Sequence, residues 1–214
     1  MNSTTSISLV GVGGQGTLLT SDILARTAAI AGMDVKKSEV HGMAQRGGSV
    51  ISQVCFGTKV HSPIVADGAS DILVAFEKLE AIRWRNLLKD GGTALVNDMD
   101  WVPVTVSSGL QPAFDDTEGT LRKLYPNLIL LDAQTIAKDL GNVRTANIVL
   151  AGALSTLTPF AEEHWLQALR ERLPEKLLDI NVQAFMQGRN RRGWSCERNR
   201  AKPSGLIFLR ERRG

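Results

Sequence analysis

Only two cysteines, Cys55 and Cys196, occur among 214 residues. They are too few and too far apart to hold zinc or an iron–sulfur cluster unaided. Such sparse cysteine predicts a reduced, intracellular protein rather than a disulfide-bonded one. Histidine is equally scarce, with three, and no HExxH word, Ser/His/Asp or Cys/His arrangement, or paired-carboxylate motif accompanies it. Nothing in the chain therefore reads as a self-contained hydrolytic or metal centre. Long apolar runs are missing too: no stretch reaches the roughly 18 residues that a membrane span needs. The opening MNSTTSISLVGVGG has neither the basic start nor the apolar core of a signal peptide. A cytoplasmic protein without a membrane partner is expected.

Excess positive charge is also missing from most of the chain, although the formal net charge is +3. Residues 189–214 hold eight Arg, one Lys and two Glu, a local charge of +7, which leaves residues 1–188 with a net of −4. The high pI belongs to this tail. The body is mildly acidic and gives no footing to nucleic-acid binding. Up to Leu206-Ile207-Phe208-Leu209 the tail lacks amphipathic order, and it is expected to be a disordered basic extension.

What is present suits one domain with a sizeable core: 43% hydrophobic and 22% charged residues over this length. Ile7 to Val10 reads as a short buried strand, Thr17 to Ala31 as a helix ended by Gly32, and Asp34 to Glu39 as a second strand, a βαβ start. Ser49 to Phe56 alternates, with Val50, Ser52, Val54 and Phe56 on one face, and Gly57-Thr58 turns it toward Val60 to Ser62. Asp71 to Phe76 is the near-continuous apolar run of a strand covered on both faces. A helix over Lys78 to Leu88 follows, closed by Asp90-Gly91-Gly92. Further strands are expected at Thr93 to Asn97, Val102 to Val106 and Asn127 to Leu131, with a polar loop and short helix over Gln111 to Tyr125. The rest is helical to Gly188, with breaks near Gly141, Pro159 and Pro174. The pattern predicts an α/β, Rossmann-like, mainly parallel sheet flanked by helices, with a helical C-terminal half.

Two glycine-rich words stand out. GVGGQG, residues 11–16, lies between a strand and a helix, where free backbone N–H groups at the positive end of the helix dipole suit phosphate or carboxylate. It satisfies G-x-G-x-x-G, but that fingerprint also wants an acid some 20 residues on, and only Glu39 stands near. Nucleotide binding, a structural turn and a subunit contact all remain open on spacing alone. The second word, SEVHGMAQRGGSV, offers His41, Met43, Gln45 and Arg46 beside Gly42, Gly47 and Gly48. Arginine beside paired glycines can grip a carboxylate or phosphate, while pairing with Glu39 or Asp67 is the structural alternative. Cys55 sits mid-strand, as a core residue rather than a nucleophile.

These words, with SPIV, DILVAFEKLEAIR, GGTALVN and GNVRTANIVLAGAL in order, resemble the gamma-type domain of 2-oxoacid:ferredoxin oxidoreductases. The likeness is greatest to the small beta subunit of the indolepyruvate branch, and it covers residues 5–188. The resemblance implies a 1–188 domain followed by the basic 189–214 tail. It implies a subunit of an enzyme that decarboxylates aryl pyruvates with coenzyme A, yielding acyl-CoA, carbon dioxide and reduced ferredoxin. Thiamine diphosphate and iron–sulfur clusters perform that chemistry. With no GDG…N thiamine-diphosphate word and no cysteine cluster in this chain, the resemblance places both in a large partner subunit and makes this chain inactive alone. Contacts to substrate, coenzyme A or partner are then expected from Gly11, Gly13, Gly14, Gln15 and Gly16 in the first loop. In the second they are expected from His41, Met43, Gln45, Arg46, Gly47 and Gly48. No catalytic base and no metal ligand is assigned. A pyruvate or 2-ketoisovalerate branch, a self-sufficient NAD(P)-binding oxidoreductase, and a polyanion-binding tail are the competing readings.

Overall fold

The computed structural model describes residues 4–41, 48–101, 106, 109–110 and 116–190. Alternating apolar segments become strands where both faces are covered and helices where only one stripe is. The first units are β1 (Thr5–Val12), α1 (Thr17–Ile30), β2 (Asp34–His41), β3 (Ser49–Gly57) and β4 (Ser70–Ala75). They are followed by α2 (Lys78–Arg83), β5 (Leu88–Asn97), α3 (Thr117–Leu124), β6 (Leu128–Leu131) and α4 (Ala133–Asp139). Helices α5 (Ala146–Ser155), α6 (Glu162–Arg172) and α7 (Glu175–Asn190) complete the described chain.

The strands form one sheet in the order β2-β3-β1-β4-β5-β6. Pairings β1/β4, β4/β5 and β5/β6 are parallel, whereas β3 runs antiparallel to both its neighbours. Five strands thus share one direction, as the sequence pattern predicts. The expected βαβ start is modified, because β3 inserts between β1 and β2. The alternation of Val50, Ser52, Val54 and Phe56 is what permits this: all four are buried, so β3 has a covered face wherever it pairs.

Side chains of β1 and β4 alternate between two cores. Ile7, Leu9, Ile72 and Val74 meet α1, α5, α6 and α7 on one face, while Val10, Leu73 and Ala75 meet α2 and α3 on the other. Helix α2 is shorter than its sequence suggests. It ends at Trp84, a 3₁₀ turn covers Arg85–Leu87, and β5 begins at Leu88, so Asp90, Gly91 and Gly92 lie in a strand. Val60 to Ser62 forms no strand. The strand expected at Val102 to Val106 lies, but for Val106, outside the described residues, and so do residues 191–214.

Asp71 stitches three neighbouring strands together: it accepts from Ser6 N at 2.8 Å and from Ser6 Oγ at 3.2 Å, and it pairs with Lys89. Burial pushes its carboxyl up, but the Lys89 and Ser6 contacts outweigh burial and hold it below the usual carboxylate value. A depressed folded-state pKa contributes stability above the unfolded value of about 4, and that contribution is lost as pH falls through the folded value. Asp71→Asn is therefore expected to lower stability by about 1 kcal/mol at pH 7. In urea titrations the difference between variant and parent should shrink steadily as the pH falls below about 4.

Candidate functional site

Strands β1, β4 and β5 run parallel, so their C-terminal ends open on the same edge of the sheet. Helix α1 leaves β1 for one face and α2 leaves β4 for the other. Such a point of divergence in an open α/β sheet leaves a crevice beyond the strand ends. The crevice here has a volume of about 460 Å³ and an opening to solvent. Gly14, Gln15 and Gly16 form one wall; Phe76, Asn97, Met99 and Trp101 form the floor and a second wall; Gln134, Arg144 and Asn147 close it.

The first glycine word builds its wall with backbone. Gly16 caps α1 with φ 89°, the left-handed region, and a Cβ there would stand 2.5 Å from Asn147 Nδ2. Glycine meets both demands, and another residue would meet neither. No side chain caps the amides of the first turn of α1, and that turn holds no acid. The positive end of a 14-residue helix is therefore open to an anion. Gln15 folds back so that its Oε1 accepts from Val12 N at 2.8 Å, while its Nε2 and the nearby Thr17 Oγ1 are buried without a partner among the described residues.

Opposite stands the segment before and within α5. Asn142 Oδ1 accepts from Arg144 N at 3.1 Å and starts the 3₁₀ turn Val143–Thr145, which presents Arg144 to the opening. Its guanidinium pairs with no acid among the described residues. Asn147 is only 6% exposed, yet its side-chain amide makes no hydrogen bond with a described residue; its backbone carbonyl accepts from Thr20 Oγ1 at 3.4 Å. An uncapped helix end, a cation and an unpaired amide thus converge from two elements. They suit an anionic group such as phosphate or carboxylate.

The floor is apolar and locked. Asn97 at the end of β5 donates to Phe76 O at 3.1 Å and accepts from Ala133 N at 3.0 Å, tying β4 to the start of α4. Gln134 Nε2 approaches Met99 Sδ at 3.2 Å. Lys78 grips Asp98 at 3.0 Å and Asp100 at 2.8 Å, and although burial lowers its pKa these two carboxylates raise it above the ordinary value. Trp101, 44% exposed, sits at the rim. Polar wall and aromatic rim together fit an anionic ligand that also carries a flat or apolar portion.

Of the expected residues, Gly14, Gln15 and Gly16 line the crevice, while Gly11 lies in β1 opposite Val50. The two glycine words touch: Gly13 N donates to Gly48 O at 2.9 Å. His41 ends β2 opposite Val50 of β3. Met43, Gln45, Arg46 and Gly47 lie outside the described residues. The dinucleotide reading loses its acid, because β3 separates β2 from β1 and Glu39 instead pairs with Lys37 at 2.7 Å. Two strand spacings, about 10 Å, lie between β2 and β1. Sequence reading missed Asn97, Trp101, Gln134, Arg144 and Asn147. The available signal was the polar N-V-R-T-A-N run directly ahead of an otherwise apolar helix. Among the described residues no group of three His, Cys, Asp or Glu is placed to hold a metal ion, and the scarce thiols do not fit an iron–sulfur cluster.

The model of the pyruvate ferredoxin/flavodoxin oxidoreductase family matches residues 6–191. The indolepyruvate oxidoreductase subunit IorB of Archaeoglobus fulgidus is 40% identical over 189 residues, covering 86% of this chain and 94% of that protein. The 2-oxoglutarate synthase subunit KorC of Methanocaldococcus jannaschii is 28% identical, with 85% and 90% covered. Among solved structures, the keto/oxoacid ferredoxin oxidoreductase gamma subunit of Geobacter sulfurreducens superposes with a TM-score of 0.64 at 28% identity. That match covers 86% of this chain and 96% of the other.

Proposed function

We infer what this chain contributes from the premise that it belongs to the pyruvate ferredoxin/flavodoxin oxidoreductase family. It is a subunit of an indolepyruvate or related 2-oxoacid:ferredoxin oxidoreductase, and so one part of a hetero-oligomeric oxidoreductase. Among the described residues no helix is long and apolar enough to cross a membrane.

The finer reading is a non-cofactor subunit, working in the cytoplasm, beside a large subunit that carries thiamine diphosphate and iron–sulfur clusters. The complex oxidises an aryl pyruvate with coenzyme A, releasing carbon dioxide and acyl-CoA and passing two electrons, one at a time, to two ferredoxins. The observation that supports a share in ligand binding is the uncapped start of α1 facing Arg144 and Asn147. These groups hold an anionic part of coenzyme A or of the 2-oxo acid, and the rim beside Trp101 takes its apolar part. Loops 11–16 and 41–48 supply the contacts to ligand and to the large subunit. The chain orients and encloses; its partner moves the electrons.

Co-expression with the large subunit, followed by viologen reduction across several 2-oxo acids, tests this. The assembled complex is expected to turn over indolepyruvate faster than pyruvate or 2-ketoisovalerate, and the purified chain to be colourless and inactive. Viologen reduction by the chain alone, or stoichiometric NAD(P)H binding in calorimetry, overturns it.

A further inference from the structure

No residue of helix α2 lines the crevice, yet this short helix is tied to both sides of it. Glu80 is 2% exposed and its carboxylate collects three donors. Arg83 Nη1 lies 2.5 Å from one oxygen; Trp84 Nε1, at 3.1 Å, and Ser49 Oγ serve the other. Trp84 Nε1 also reaches Ser49 Oγ at 3.1 Å, so the three side chains form a closed triangle. An i,i+3 pair with Arg83 would by itself be ordinary helix chemistry. Ser49 is different, because it belongs to β3 and follows Gly48 directly. Gly48 O in turn receives Gly13 N–H at 2.9 Å, and Gly13 begins the turn that carries Gly14 to Gly16 into the crevice wall.

The opposite wall hangs from the same helix. Glu77, 1% exposed, accepts from Leu79 N at 2.9 Å and from Glu80 N, and the backbone N–H of Trp101 also favours its charged form. Lys78 N donates to Met99 O at 3.0 Å. One short helix therefore holds the glycine wall through Glu80 and the tryptophan wall through Glu77. A carboxylate with this many donors is a poor choice for mere packing, since burying it costs several kcal/mol unless each bond is made. Its bonds fix a distance instead.

We propose that Glu80 is a positioning residue: through Ser49 and Gly48 it sets where Gly13 and the anion-facing turn of α1 stand relative to Trp101. It touches no ligand. The consequence for ligand affinity rests on the function proposed above, whereas the consequence for Gly13 does not.

Residue-resolved hydrogen exchange on the full chain, read at Gly13 and at Val74 in the sheet centre, tests the positioning directly. Ser49→Ala and Glu80→Ala are each expected to speed Gly13 exchange about tenfold while Val74 is unmoved, as local rather than global opening requires. Glu80→Gln keeps an acceptor for Ser49 and is expected to stay within about threefold of the parent. An equal rise at Gly13 and Val74 marks general destabilisation and overturns the proposal, as does an unchanged Gly13. Should Glu80→Ala not fold, Ser49→Ala decides alone. In the assembled enzyme the same variants should raise the KM for coenzyme A or the 2-oxo acid about five- to tenfold with kcat within about twofold. Altered Gly13 exchange with every KM unchanged would remove the ligand role and leave the positioning intact.

Discussion

Gly152→Ala is expected to be among the most damaging single-methyl changes this chain can suffer. Gly152 lies in α5, and a Cβ there would overlap the carbonyl oxygen of Phe185 in α7. Gly188 of α7 mirrors it, its own Cβ position falling on the carbonyl oxygen of Val149 in α5. The two helices thus meet backbone to backbone at both glycines. The obstacle is main chain, which cannot rotate away as a side-chain tip can, so the helices must separate. Separation would loosen Trp165, Phe185 and Leu154, all fully buried on this face. Alanine gains about 1 kcal/mol of helix propensity over glycine, while overpacking of this kind costs about 1–3 kcal/mol or more. With direct backbone overlap the upper end applies, and a net loss of about 2–3 kcal/mol is expected. For a chain of this size that lowers the thermal midpoint by roughly 5–10 °C in calorimetry. Because α5 also carries Asn147 into the crevice, binding should weaken alongside stability.

Asn147→Asp should separate what Gly152→Ala combines. The side chain keeps its shape and gains a negative charge beside the uncapped start of α1. At 6% exposure the new carboxylate loses hydration, which the open amides of α1 offset only in part, so the thermal midpoint is expected to hold or fall by a few degrees. An anionic ligand would meet that charge in a crevice only partly screened by water, and its KM in the assembled enzyme is expected to rise by about 30-fold or more. A site that served only as a turn or a helix contact would show any stability change without the kinetic loss. An unchanged KM for both coenzyme A and the 2-oxo acid, in a complex that assembles normally, removes the crevice from ligand binding.

Much of the fold is legible in the sequence because its signals are local. The apolar run at Asp71 to Phe76 can be satisfied only in a strand covered twice, and it became β4. The GVGGQG turn, the following helix and its stop at Gly32 appear where spacing places them. Helix α2 was misjudged at its far end, since Leu88 looks as apolar as a helix position but finds its partner Ser70 across the sheet. The place of β3 in the sheet is not legible for a related reason: alternation says which face of a strand is buried, and nothing about which strand lies beside it.

The site divides in the same way. Its glycine half was visible because backbone that must turn with positive φ, or admit a neighbour closely, leaves its mark on residue type. Its other half comes from Arg144 and Asn147, which are ordinary polar residues when read along the chain. They acquire meaning only because α5 packs on the same face as α1 and brings them to its open end. Sequence alone settled the family, the α/β alternation and the lack of a thiolate set for an iron–sulfur cluster, all of them properties of residue type and order. Tertiary structure alone decided that β3 divides β1 from β2, that the two glycine words join at Gly13 and Gly48, and that an arginine and an asparagine face the helix start. Those are distances between residues remote along the chain, set by packing rather than by any local preference.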